Sequence, residues 1–381
     1  MNKKGMPYSQ IMKELRSAYD ENYHFKDGRI LGSMCTKPHP AALKTHSMFI
    51  ESNLGNPGLY SGTKKLEKKL IEMLGSLLHN KNPYGHITGG GTESNITALW
   101  IAKKLTKKKE IIFPESAHFS FHKACDLMDL KPVEIGLDEK YRMRVDEAED
   151  KISGNTACVA GVAGTTEFGA VDPIDKLSDI CAEKNFLHVD AAFGGFVIPF
   201  LKELGYNLPD FDFKLDGVCS MTVDPHKMGM ASIPAGALLL REKKYLKSIS
   251  RKPVYLTGVQ ACLSGTRCSA SVPGVYATMK ILGKDGYRKI VRSCMDVTFY
   301  LSKRFKEIGL ELPIDPEMNI VCAKVKNPDS IVRMLDKKGW KISKTRKPKC
   351  IRIVVMPHVT KKVVEDFIPE LEKVCRRFGE I

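Results

Sequence analysis

The run Ser220-Met-Thr-Val-Asp-Pro-His-Lys-Met-Gly229 places one lysine where chemistry could be done. An apolar stretch, residues 217–223, ends at Asp224-Pro225, and His226 and Lys227 follow at once. An amine at the mouth of a buried strand does little for solubility. Desolvated, or crowded by another cation, it loses proton affinity and becomes a nucleophile toward an aldehyde. Taken alone, Lys227 would read as a surface lysine in a strand–turn connection, so its company decides.

Four other stretches supply that company. Gly89-Gly-Gly-Thr-Glu-Ser-Asn95 opens a helix. Its glycines let backbone approach a ligand, and the unpaired first amides of a helix favour an anion such as a phosphate. Thr92 and Ser94 could add hydroxyl donors. The run lacks both the Gly-x-Gly-x-x-Gly of a dinucleotide site and the Gly-Lys-Ser/Thr ending of a nucleotide loop; its plain alternative is a glycine turn with an N-cap at Thr92. In Ser116-Ala-His-Phe-Ser120, His118 follows a strand, at the edge where parallel sheets bind ligands, and its ring could stack on a flat group. Ala163-Gly-Thr-Thr-Glu-Phe-Gly169 brings two hydroxyls and a carboxylate to a strand end, or is simply a polar turn. In His188-Val-Asp-Ala-Ala-Phe-Gly-Gly195, Asp190 closes a mostly apolar strand, where a carboxylate is costly unless partnered. The small residues after it leave room for a flat ring. A phosphate cradle, a stacking imidazole, a buried carboxylate and a lysine are together the needs of pyridoxal 5′-phosphate.

These motifs, in this order, resemble those of the group II pyridoxal-phosphate-dependent decarboxylases. The likeness runs over nearly the whole chain and is strongest to the archaeal tyrosine/aspartate branch, for which Gly32-Ser-Met-Cys, Asn56-Pro-Gly-Leu, Ala192-Phe-Gly-Gly and Arg352-Ile-Val-Val-Met-Pro-His358 are also typical. The resemblance implies an aspartate aminotransferase-like (fold type I) α/β fold. It makes Lys227 the Schiff-base lysine, His118 the stacking histidine and Asp190 the partner of the pyridine nitrogen. Ala192 would pack under the ring, Gly91 and Thr92 would bind phosphate, and Thr165 would lie near the phenolic oxygen. His226 would help to bind phosphate or substrate, and Arg352 would hold the substrate carboxylate. Gly265 and Thr266, in Gly265-Thr-Arg267, would reach the phosphate of a neighbouring subunit, so that the site needs a homodimer. Tyr255, in the irregular segment 251–265, would be the loop proton donor. The implied reaction is α-decarboxylation of an L-amino acid. Tyrosine decarboxylation would feed methanofuran synthesis and aspartate decarboxylation coenzyme A synthesis; glutamate is a further alternative. The same motifs also serve carbon–carbon lyases acting on phosphorylated amino alcohols.

The elements that must position these residues follow from periodicity. Helices are expected over 8–21, 41–52, 63–78, 93–105, 119–128, 145–151 and 174–183, with the loop 53–62 between the second and third. Strands are expected at 111–113, 133–135, 157–163, 186–189 and 218–223. Short apolar strands alternating with helices predict a mostly parallel sheet covered on both faces. Residues 235–240 are expected to add an antiparallel edge, and 241–265 to be charged and irregular. A helix over 275–308 leads into strand 320–325, helix 330–338, strand 351–355 and helix 361–378, a small α+β domain. The implied organisation is an N-terminal segment 1–55 packing on a dimer partner, a cofactor-binding domain 56–285 and a C-terminal domain 286–381.

Composition sets the outer bounds. The 381 residues carry 60 basic and 44 acidic side chains, a net charge of +16. Basic clusters at 103–109, 241–252 and 337–349 lack the aromatic interleaving or recognition helix of a nucleic-acid groove, and read as solvated faces. No apolar run is long enough to span a bilayer, and the first residues lack a signal-peptide core, so a cytoplasmic enzyme is expected. The 11 cysteines are odd in number, and the pair Cys262 and Cys268 lacks zinc spacing, so reduced thiols and no metal are expected.

Overall fold

Seven strands form the central sheet, and the runs 89–95, 116–120, 163–169, 188–195 and 220–229 stand at the ends of its strands. The computed structural model describes residues 3–181, 184–267 and 269–381; Glu183, the expected end of one helix, and Cys268 lie outside the described residues. In chain order come α1 (Tyr8–Asp20), α2 (Pro40–Met48), α3 (Ser61–Leu77), β1 (Tyr84–Thr88), α4 (Gly91–Thr106), β2 (Glu110–Pro114), α5 (Ser120–Met128) and β3 (Lys131–Ile135). Then follow α6 (Val145–Lys151), β4 (Thr156–Val162), α7 (Ile174–Cys181), β5 (Phe186–Asp190), α8 (Ile198–Glu203), β6 (Val218–Val223), β7 (Gly236–Leu240) and α9 (Lys243–Ser248). The sheet order is β1-β7-β6-β5-β4-β2-β3. Strands β3, β2, β4, β5 and β6 pair in parallel, whereas β7 is antiparallel to both β6 and β1. Two antiparallel steps restore direction, so β1 runs parallel to β6. The C-terminal ends of β1, β6, β5, β4 and β2 therefore share one edge, where ligands bind in such sheets.

Alternation along the strands fills two cores. Ile112, Val159, Leu187, Val189, Met221, Val223 and Leu239 pack on one face. Ile111, Phe113, Ala160, Phe186, Leu238 and Leu240 pack on the other, against α4, α5 and α9. Helix α3 covers the first face with Leu70, Ile71, Leu74 and Leu77, each worth about 2 kcal/mol when buried.

Two expectations change. Residues 236–240 are antiparallel but interior; the edge is β1, which periodicity did not reveal. Gly85 and His86 interrupt its apolar pattern, and glycine is required because a Cβ at Gly85 would sit on the Leu238 carbonyl oxygen. Within 241–265, Tyr245 is buried and fixes the short helix α9.

A second unit follows the long helix α10 (Ser271–Glu307), which kinks at Gly283, where φ is 56°. The kink lies close to the 285/286 boundary read from the sequence. Strands β8 (Ile320–Lys324), β9 (Ser343–Lys344) and β10 (Cys350–Val354) form an antiparallel sheet in the order β8-β10-β9, with α11 (Pro328–Lys337) and α12 (Lys361–Arg377) packed together beside it. The N-terminal segment is not uniform. Helix α1 has no buried residue. Farther on, the Leu31 amide bonds the Lys341 carbonyl, Val354 N donates to Leu31 O, and α2 lies on α10. The ten described cysteines are free.

Candidate active site

The shared strand edge opens into a cavity of about 540 Å³. Its wall brings together Gly89, Gly90, Gly91 and Thr92 after β1, His118 after β2, Asp190 and Ala192 after β5, and Asp224, His226 and Lys227 after β6. Of the residues chosen from sequence, Gly91, Thr92, His118, Asp190, Ala192, His226 and Lys227 thus meet on one wall.

Helix α4 begins at Gly91, and no side chain from its Gly90 N-cap closes its first turn. Gly89 N donates to Glu93 Oε2 (2.6 Å), while Thr88 and Ser94 hydroxyls bond each other (2.7 Å). The following amides are left for a ligand, at the positive end of a helix of 16 residues. The turn is tightly walled: a Cβ at Gly91 would lie 3.0 Å from Asp224 Oδ2 and 3.3 Å from Ala192 Cβ, and one at Gly90 would lie 3.1 Å from His226 Cε1.

Asp190 is 5% exposed. Its Oδ2 accepts from Asn95 Nδ2 (2.8 Å) and its Oδ1 from Ala192 N (3.0 Å). Both partners are neutral: an amide and a backbone donor orient the carboxylate. Asn95 Nδ2 also donates to Ser120 Oγ (2.9 Å), which lies 2.9 Å from His118 Nδ1. Because Ser120 N also points at His118 Nδ1 (3.3 Å), the neutral ring carries its proton on Nε2. Burial lowers the proton affinity of His118, against the pull of Asp190.

The Lys227 side chain is 19% exposed, with Nζ 3.1 Å from Asp224 Oδ2. Asp224 is 2% exposed; its Oδ2 lies 3.6 Å from His226 Nε2, and its Oδ1 has no hydrogen-bond partner among the described residues. His226 Nδ1 accepts from Ala235 N (3.1 Å), and burial lowers its pKa.

Five expected residues lie off this wall. Thr165 is fully buried, with Oγ1 accepting from Ala170 N (3.0 Å); its neighbour Thr166 faces the cavity instead. Tyr255 is 82% exposed, although Leu263 and Ser264 of the same segment reach the wall. Gly265 and Thr266 are exposed, beyond the wall, while Arg267 turns inward to Glu67 and the Ile87 carbonyl. Arg352 is buried on β10, where Nη1 donates to Ser343 Oγ (2.8 Å) and Gly32 O (3.2 Å); Nε and Nη2 lack partners among the described residues. Burial lowers its pKa to about 10.

Sequence reasoning missed Asn95 and Asp224 as functional groups. Asn95 falls four residues after Gly91, on the same helix face as the cradle, and Asp224 falls three before Lys227 in a tight turn. Both spacings were signals that a closer reading could have used.

The residues fit pyridoxal 5′-phosphate. An uncapped glycine turn suits its phosphate, the gap between His118 and Ala192 suits a flat ring, and Asp190 suits a ring nitrogen. The lysine suits an aldehyde.

Comparison with known proteins agrees. Residues 60–326 match the family model for the pyridoxal-dependent decarboxylase conserved domain. A Pyrococcus abyssi protein described as "Probable L-aspartate decarboxylase" is 48% identical, covering 98% of both chains. A Pyrococcus horikoshii "L-aspartate/L-glutamate decarboxylase" is 47% identical, over 97% of this chain and 98% of that one. A Methanothermobacter thermautotrophicus "Probable L-tyrosine/L-aspartate decarboxylase" is 47% identical, over 93% and 99%. Among solved structures, a sphingosine-1-phosphate lyase of Burkholderia pseudomallei superposes with a TM-score of 0.91 at 25% identity, over 99% of this chain and 92% of that one. A Lactobacillus brevis glutamate decarboxylase gives 0.89 at 22%, over 99% and 94%, a likeness of fold.

Proposed function

The chain belongs to the pyridoxal-dependent decarboxylase family, and from that membership we propose that it removes the α-carboxylate of L-aspartate, forming β-alanine. Decarboxylation of an amino acid with pyridoxal 5′-phosphate is the family's chemistry, and the enzyme is a carboxy-lyase. The carrying observation is Lys227, an amine held by a buried carboxylate in the cavity that Asp190 also lines. Aspartate is common to the names of the three relatives above. A second reading, L-tyrosine to tyramine, is favoured by the apolar wall of Met34, Ile96, Phe193 and Leu263. Carbon–carbon cleavage of a phosphorylated amino alcohol is represented by a fold neighbour at 25% identity, against nearly twice that for the decarboxylases.

When bound, the cofactor supplies an electron sink for the bond that breaks at Cα. The protein does the rest. Lys227, its amine held 3.1 Å from Asp224 Oδ2, would be the residue that holds the cofactor through its aldehyde. Asp190, oriented by Asn95 and Ala192 N, keeps a proton on the ring nitrogen. His118 and Ala192, both on the cavity wall, would hold the ring. The α4 N-terminus binds the phosphate, with Thr92 and His226 beside it. Held this way, the ring leaves the orientation of the substrate to decide which Cα bond is cleaved. Arg352, with two guanidinium nitrogens free, takes the substrate carboxylate, a contact that suits arginine's planar fork. Tyr255, on an exposed segment, returns the proton to Cα. Gly265 and Thr266 complete the phosphate site of a second copy, so the working unit is a homodimer with residues 1–55 against the partner. The compartment is the cytoplasm, and the products serve coenzyme A or methanofuran synthesis. No helix among the described residues is long and apolar enough to cross a membrane.

The deciding experiment screens the cofactor-loaded enzyme against L-aspartate, L-tyrosine and L-glutamate with amine detection. Aspartate is expected to give the highest kcat/KM, and a higher value for either other acid reassigns the substrate. Lys227→Ala is expected to lose both the cofactor's visible absorbance and CO₂ release; retention of both would remove Lys227 from its role.

A further inference from the structure

Asp224 has an unusual position for a carboxylate. It is 2% exposed, it stands against the turn that awaits a phosphate, and one of its oxygens has no partner among the described residues. A side-chain carbon on Gly91 would come within 3.0 Å of its Oδ2, so the carboxylate forms part of the cradle wall. A phosphate dianion in the cradle would face this buried anion at close range. Two such charges repel strongly there, and one must be neutralised.

The surrounding groups narrow the choice. Lys227 and His226 share the turn with Asp224; Asp190 ends β5, His118 precedes α5, Glu93 lies in the first turn of α4, and Cys35 comes from the N-terminal segment. His226 is fixed as a neutral ring: Nδ1 accepts the Ala235 N–H, so Nε2 carries the hydrogen, and a second proton on Nδ1 would oppose two donors. Lys227 holds Asp224 Oδ2 at 3.1 Å, but it must leave that contact when its amine engages the cofactor aldehyde. Glu93 is already tied to Gly89 N. Among the protein groups Asp224 is the one left to change charge, and its unpartnered Oδ1 is the atom that gains a bond by becoming a donor. The phosphate, with a second pKa of about 6, is the competing site for the same proton, and a protonated-carboxyl infrared band separates the two.

We propose that Asp224 binds the cofactor phosphate as a neutral acid: filling the cradle drives one proton from solvent onto Oδ1, which then donates to a phosphate oxygen. Cofactor loading is thereby linked to pH. The inference rests on the assignment of the turn 89–92 to the phosphate. One extra proton taken up makes affinity fall about tenfold per pH unit where that proton is scarce.

The test uses the apoenzyme and pyridoxal 5′-phosphate, with calorimetry at pH 8 in buffers of different ionisation heat to count protons. Wild type is expected to take up about one proton more than Asp224→Asn, once the ionisation of Lys227, which loses its 3.1 Å partner in the variant, is titrated separately in each apoenzyme. The affinity of the variant is expected to fall less steeply between pH 7 and 9 by about tenfold per unit. Equal proton counts, with binding intact in both, overturn the neutral-acid role and leave the cradle assignment standing. Failure of the phosphorylated cofactor to bind better than pyridoxal overturns the cradle assignment, and this inference with it. If the variant does not fold, the infrared difference spectrum of wild type decides: loading must produce a protonated-carboxyl band that shifts in deuterium oxide, and its absence refutes the proposal.

Discussion

Asn95 uses all of one amide. Its oxygen accepts from Thr222 Oγ1 (2.7 Å) and His188 Nε2 (3.0 Å), and its nitrogen donates to Asp190 and Ser120. Removing it strands a buried carboxylate and a buried imidazole at once. Asn95→Ala is expected to lose about 2–4 kcal/mol of stability in chemical denaturation, and to bind the cofactor more weakly in a spectroscopic titration. His188 supports a pH prediction. It is buried, with Nδ1 on Ser220 Oγ (2.8 Å), and burial pushes its pKa down to about 4. The unfolded chain therefore binds the proton first. Stability held above pH 6.5 falls as pH drops toward 4, by about 3 kcal/mol from this group. Urea unfolding across that range is expected to give a shallower pH slope for His188→Gln than for wild type. Asp190 and Lys227 were legible in the sequence because their charges stood out against apolar strands. Asn95 and Asp224 were not, since an amide after a glycine turn and a carboxylate before a proline read as capping and turn residues until the partners are seen.

Helix α3, strand β1 and the segment before α10 are joined by one buried ion pair. Glu67 accepts from Arg267, from Lys64 (2.8 Å) and from Ile87 N (3.0 Å), and Arg267 also bonds the Ile87 carbonyl. Burial alone would raise the Glu67 pKa, but the two cations hold it down at about 2. A depressed carboxylate stabilises above its unfolded pKa of about 4.5 and loses that contribution as pH falls toward 2, here about 3 kcal/mol. Glu67→Gln is expected to flatten acid unfolding in that window. At neutral pH it should cost about 3–5 kcal/mol by leaving Arg267 buried without its anion. The same variant should loosen the segment ahead of Arg267, read as faster proteolytic cleavage near Tyr255. At this scale the sequence was informative wherever an element was long or evenly apolar, as for α3, α4 and β4. It was silent for β1, whose apolar pattern is broken by Gly85 and His86, and for β9, which has two residues. Thr165 shares that difficulty: after Gly164, at φ 99°, the chain turns and Gly169 N closes on Thr165 O, and the local sequence does not say which of the two threonines such a turn aims at the cavity.

Over the whole molecule, the apolar residues left outside are concentrated near the N-terminus. Tyr8, Ile11, Leu15 and Tyr19 of α1 are exposed, as are Met48, Ile50 and Leu59. A helix with an apolar face and no buried residue lacks a partner within its own chain. On the proposed homodimer, removing residues 1–24 is therefore expected to shift sedimentation toward monomer and to lower activity with it; sedimentation unchanged by the truncation would refute the role of α1 in assembly. The fold class was legible because alternating strands and helices admit few arrangements, whereas the order of the strands was not, because nothing local announces that β7 inserts between β6 and β1. That insertion governs synthesis on the ribosome. Strand β1 has β7 as its neighbour in the sheet, with Thr88 opposite Gly236. The parallel block from β2 to β6 can assemble as it emerges, but β1, and the glycine turn it carries, has no strand to pair with until residue 240 has left the exit tunnel. A nascent chain stalled before that point can fold most of its sheet and still fail to retain its cofactor.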